Sequence, residues 1–79
     1  MSASQINKLS KEYFVHYENA EYASFMVGKS KGKKKSEFEE EEDYEEMICH
    51  DIANKIAKLN PSKYMLNKHP ELQDILETI

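Results

Sequence analysis

From Asp43 to Leu59 the chain carries a pattern that leaves little conformational freedom. Ile48, Ile52, Ile56 and Leu59 recur at intervals of four and three, with Tyr44 and Cys49 flanking the same face. That is the spacing of an amphipathic helix. Acids crowd its start, while Lys55 and Lys58 sit near its end, and both placements suit the helix dipole. Asp43 with Glu46 makes a capping-box pattern, and Asn60-Pro61 is a stop. The spacing predicts a helix over 43–59, and any fold of this chain must cover its isoleucine face.

Little else is available to cover it. The chain has 79 residues, enough for a single domain over 1–79 with a marginal core. One cysteine rules out a disulfide within the chain. Very regular helices or burial against a second copy are the remaining routes to stability, and size favours a homodimer. No apolar run approaches the roughly 18 residues of a membrane span, and the start lacks a signal-peptide pattern. The expected setting is the cytoplasm, with no membrane partner.

Residues 12–28 read in two ways. Tyr13-Phe14-Val15-His16-Tyr17 and Tyr22-Ala23-Ser24-Phe25-Met26-Val27 are rich in strand formers, and Glu18-Asn19-Ala20-Glu21 lies between them. That predicts strand, turn, strand, although the turn lacks an Asn-Gly or Asp-Gly pair. A third short strand at 36–41 would complete a meander. The rival is a helix, on which Ile6, Leu9, Tyr13, Tyr17, Ala20 and Val27 share one face. It scatters Phe14, Val15, Phe25 and Met26 around its other sides. The expected fold class is therefore α+β: a hairpin or meander over about 12–41, packed on the 43–59 helix and a C-terminal helix at 70–78. The alternative is an all-α bundle. Residues 1–11 are polar apart from Ile6 and Leu9, and read as a flexible arm or a first helical turn. Pro61 opens a short helix or turn through Leu66. Pro70 opens the last helix, with Leu72, Ile75, Leu76 and Ile79 as its apolar side.

Charge is laid out in blocks. Lys29, Lys31, Lys33, Lys34 and Lys35 fall within seven residues, with Gly28 just before them and Gly32 among them. Over 28–36 this reads as a basic loop held open by its own repulsion. After Ser36, a candidate N-cap with Glu39, come Glu37, Glu39, Glu40, Glu41, Glu42, Asp43, Glu45 and Glu46. The formal charge is −4 and there is no arginine. A domain that binds bulk duplex DNA is usually positive, so any nucleic-acid contact must be local. Lysines neutralise phosphates without fixed geometry, and Tyr17 and Tyr22, exposed on a sheet, would stack on unpaired RNA bases. Without arginine, bidentate reading of guanine is absent. The bland reading is a solubilising loop. The acidic run offers a second surface: Glu39, Glu40, Glu41, Glu42 and Asp43 would imitate phosphates in a basic groove on a protein partner. Its bland reading is a solvated helix start.

Catalytic signals are weak. Cys49 and His50 are neighbours, so on a helix they point about 100° apart. Cys49 is expected in the core and His50 in solvent, and His16 and His69 are isolated. No Cys/His spacing suits zinc, and Gly28 and Gly32 do not make a phosphate loop. Glu45 alone among the acids falls in the apolar arc, where bending to solvent is its expected course. No cofactor, metal or enzymatic activity is expected.

In size and in its richness in Lys, Glu, Ile and Asn, the chain resembles the small accessory proteins of large tailed bacteriophages. Many of these act on host defences such as toxin–antitoxin systems. The resemblance implies a phage-type inhibitor of a host defence or toxin system that works by binding rather than catalysis. The lysine loop makes RNA or another polyanion the expected contact, and the acidic run makes a basic site on a host protein the alternative. The resemblance assigns no residue a role.

Overall fold

A computed structural model describes residues 2–78, with side chains from residue 3 on. The order is α1 (Ser2–Lys29), α2 (Lys33–Lys58), α3 (Lys63–Lys68) and α4 (Glu71–Leu76). No strand occurs among the described residues. The α+β expectation is overturned, both for the hairpin at 12–28 and for the strand at 36–41, and the all-α alternative is the one that fits.

The reason lies in the packing stripe of α1. Ile6, Tyr13 and Ala20 recur every seven residues and are buried, and Val27, seven further on, is half-buried. A recurrence of seven keeps one side of a helix against a neighbour along its whole length. Here the neighbour is antiparallel α2, which buries Cys49, Ile52, Ala53 and Ile56. Tertiary packing outweighs the strand propensity of Tyr13, Phe14, Val15 and Tyr17. A strand hairpin would have split that stripe between two faces.

The connection is also shorter than the basic loop expected over 28–36. Gly28 and Lys29 still belong to α1, and Lys33, Lys34 and Lys35 form the first turn of α2. Only residues 30–32 make the turn. Gly32 takes φ 66°, the left-handed conformation that glycine adopts without a side-chain penalty. It is also the N-cap of α2, which has no side-chain cap. Ser36 is therefore inside the helix, its N–H bonded to Gly32 O at 3.3 Å. Asp43 is further inside still. Neither expected cap is used, because lysine and glutamate are good helix formers and extending an existing helix costs less than nucleating one.

The far end of α2 follows the sequence reading. Leu59 caps the helix, and Asn60 takes φ 53°, the left-handed residue that commonly follows a helix. Ser62 then starts α3, its Oγ accepting from Met65 N–H at 3.2 Å. Pro70 starts α4, whose Leu72 and Ile75 are buried. Ile79, expected on the same face, lies outside the described residues.

The molecule measures 47 × 18 × 17 Å and its packing is uneven along that length. At the open end of the α1–α2 hairpin, α4 supplies a third layer, joining Ile6, Tyr13, Cys49, Ile52, Ala53, Ile56, Leu72 and Ile75 in one core. Burying each of the large aliphatic side chains there contributes on the order of 1.5–3 kcal/mol. Leu9, Phe14, Ile48, Leu59, Met65, Leu66 and Leu76 pack against this cluster. Toward the turn there are only two layers. Ala23 is fully buried between them, but Met26, Val27 and Phe38 are half-buried. Tyr22, Phe25 and Tyr44 are each 58% exposed. Tyr44, expected on the flank of the apolar face, points outward instead. The fold is thus a packed base with a two-helix arm.

Candidate functional site

At the junction of base and arm, His16 Nδ1 on α1 hydrogen-bonds Glu45 Oε2 on α2. Glu45 does not bend to solvent and His16 is not isolated. Each lies at the α1–α2 contact and satisfies the other. His69 also has a partner, with Nδ1 3.3 Å from Glu71 Oε1.

On one flank of the hairpin, between α1 and α2, runs a groove of about 440 Å³. Ala20 and Cys49 lie along its floor. Glu21 from α1 and Glu42 and Glu46 from α2 line it, with Tyr17 and His50 beside them. Tyr13 and Thr78 lie toward the base, their hydroxyl oxygens 3.0 Å apart. Among the described residues no lysine lines this groove. The small side chains of Ala20 and Cys49 leave space between the helices on this flank unfilled. Glu42 and Glu46, one helical turn apart, present their carboxylates along the same edge.

The thiol reports the local field. Burial pushes the Cys49 pKa up, and the Glu45 and Glu46 carboxylates push it further. Negative potential and low solvent access both disfavour the thiolate. Cys49 therefore stays a neutral S–H, placed 3.8 Å from the Tyr13 carbonyl that accepts from it. His50 is exposed and is not aimed at Cys49 as a base.

The expected partner-binding run is only partly gathered by the fold. Successive helical residues turn about 100°, so Glu39, Glu40, Glu41, Glu42 and Asp43 wrap α2 as a belt rather than forming one edge. Glu42 alone among them enters the groove, half-buried; the other four are exposed. The groove adds Glu21 and Glu46, which the run does not single out. Only the i, i+4 spacing of Glu42 and Glu46 signals their shared edge, and nothing local ties either to Glu21.

The lysines gather at the hairpin tip. Lys29 ends α1, Lys31 lies in the turn, and Lys33, Lys34 and Lys35 open α2. Among the described residues none of them forms an ion pair with a carboxylate. Lys29 Nζ instead sits 4.6 Å from the centre of the Phe25 ring, a cation–π contact. The aromatic platform expected beside them is not formed. Tyr17 lies about 18 Å back along α1 from Lys29, stacks on Tyr13 at 6.1 Å, and faces the acidic groove. Tyr22 meets Phe38 edge-on at 6.4 Å.

Among the described residues no three His, Cys, Asp or Glu side chains converge to hold a metal, and no helix is long and apolar enough to cross a membrane. Compared with protein-family models, curated proteins and solved structures, the chain gives no match.

Proposed function

We propose that this chain is a non-enzymatic regulatory protein that binds another protein, holding a lysine- or arginine-bearing segment of it in the groove of Glu21, Glu42 and Glu46. The carrying observation is that three carboxylates from two helices line one hollow that contains no lysine. A guanidinium entering it would meet paired carboxylates and the exposed face of Tyr17. The belt of Glu39, Glu40, Glu41 and Asp43 adds attraction at longer range and speeds encounter. A basic site shaped for phosphates on a host enzyme is a target of matching chemistry. That matches the inhibitory role implied by the likeness to phage accessory proteins, and it puts the protein in the host cytoplasm.

A fluorescent arginine-rich peptide tests this by anisotropy. E21Q/E42Q/E46Q should weaken binding by about 10- to 100-fold, as loss of roughly 0.5–1 kcal/mol per carboxylate implies. The K31A/K33A/K34A/K35A variant should bind at least as well as wild type. Equal binding by the glutamine variant refutes the reading. A second reading, an RNA contact at the tip, is favoured by the absence, among the described residues, of ion pairs on its lysines. It requires a labelled single-stranded RNA to bind wild type and not the lysine variant.

A further inference from the structure

The arm leaves one face uncovered, and its charges say what covers it. Tyr22, Met26 and Phe38 form its apolar part. Phe38 belongs to the stripe that α2 turns toward α1, and Tyr22 packs against its edge. Beside them, toward the turn, a hollow of about 500 Å³ has Met26 and Phe38 in its wall and Lys29, Lys31 and Lys34 around it. Tyr22 lies about 140° around α1 from Tyr17 and about 160° from Ser24, so this face is on the far side of the arm from the acidic groove.

Distances along the rod follow from the helix rise of about 1.5 Å per residue. Measured from residue 31, the tip lysines centre about 3 Å along the arm and the Glu37–Glu46 acids about 16 Å. The midpoint is about 9.5 Å from the turn, which is the level of Phe25 on α1 and Phe38 on α2. If a two-fold axis crosses the arm at that level, every tip lysine group falls opposite an acidic belt, and the aromatic residues meet their own counterparts at the centre.

We propose that a second copy of this chain docks there, antiparallel, with the two arms overlapping by about 19 Å. The contact is isologous: Tyr22, Met26 and Phe38 meet across the axis, and the lysine tip of each copy lies on the Glu37, Glu40 and Glu41 side of the other. Across a rod 18 Å wide, that overlap has a footprint of only about 340 Å² per copy, less than a stable interface needs from area alone. Charge complementarity must therefore set its register, and the dimer must weaken with salt. The groove of Glu21, Glu42 and Glu46 stays open on the outer side, so this pairing stands or falls independently of peptide binding there.

Sedimentation equilibrium on the full chain tests it through charge exchange. Wild type should show a doubled mass at low salt that falls toward the monomer at high salt. A tip variant, K31E/K33E/K34E/K35E, and a belt variant, E37K/E40K/E41K, should each be monomeric. Mixed one to one, they should regain the doubled mass, since each tip then meets a belt of opposite sign. A Met26→Cys variant in a Cys49→Ser background should form a symmetric disulfide dimer under mild oxidation, because position 26 lies on this face within about 2 Å of the axis level. Circular dichroism checks that each variant stays helical. A monomeric wild type at low salt overturns the proposal, and so does failure of two helical variants to complement. Recovery of the doubled mass only on mixing confirms it.

Discussion

Replacing His16 with leucine should expose how far the fold depends on one contact between α1 and α2. The Glu45 side chain is 11% exposed and that of His16 30%, and they are each other's hydrogen-bond partners. Removing His16 leaves a mostly buried carboxyl group with nothing to satisfy it. A fully buried pair broken in this way costs about 3–5 kcal/mol. Water reaches this one from the His16 side, so a loss of about 2–3 kcal/mol is expected. Glu45→Leu should cost less, about 1 kcal/mol, because the remaining imidazole keeps solvent contact. With both replaced by leucine no polar group is stranded, and stability should return to within about 1 kcal/mol of wild type. Urea denaturation followed by circular dichroism gives all four values. The cycle should show a coupling of about 2–4 kcal/mol. A His16→Leu change within about 0.5 kcal/mol of wild type, as for an ordinary surface residue, would refute the register of α1 against α2. Residues 16 and 45 meet only if the two helices run antiparallel in this alignment.

Other perturbations probe the base, the tip and the groove. Ile56→Ala removes a fully buried side chain from the three-layer core and should cost about 2–5 kcal/mol in urea. Lys33, Lys34 and Lys35 sit at the positive end of α2 with no capping side chain, so Lys34→Glu should raise the stability of the monomer by about 0.3–1 kcal/mol, an effect that fades in salt. The raised pKa of Cys49 means the folded chain holds the thiol proton more tightly than the unfolded chain does. That contribution is fully present below the unfolded thiol pKa of about 8.5 and is lost as pH rises through the folded value. Denaturation at stepped alkaline pH should show a decline that Cys49→Ala flattens. Reaction of the thiol with a disulfide reagent at neutral pH should be slow in wild type and faster in Glu46→Gln, which removes one of the charges opposing the thiolate.

What the chain reveals of itself depends on how local each signal is. The face of Cys49, Ile52 and Ile56 was legible because three- and four-residue spacing is a property of one segment. So was the end of α2 at Asn60. Its beginning was not, since Ser36 and Asp43 both look like caps and only continued packing, with Phe38 against α1, extends the helix back to Lys33. In residues 12–28, aromatic and β-branched content argued for strands. The stripe of Ile6, Tyr13, Ala20 and Val27 argued for a helix, and its weight came from the partner helix. Ala23 was invisible for a related reason: a methyl side chain gives no hydrophobic signal, yet close helix approach requires it. The site was less legible than the fold. The acidic run announced itself, but a continuous run wraps a helix. The groove needed Glu21, 21 residues before Glu42. His16 and Glu45 were likewise joined only across 29 residues of sequence.

The most direct test of the account is a nitrogen–proton correlation spectrum of the labelled chain during titration with an arginine-rich peptide. The account predicts shifts along one flank of the hairpin, at Tyr17, Glu21, Ser24, Glu42, Glu46 and His50, while the amides of Lys33 to Lys35 stay in place. Perturbations centred on the tip, or scattered over every acidic residue alike, would contradict it.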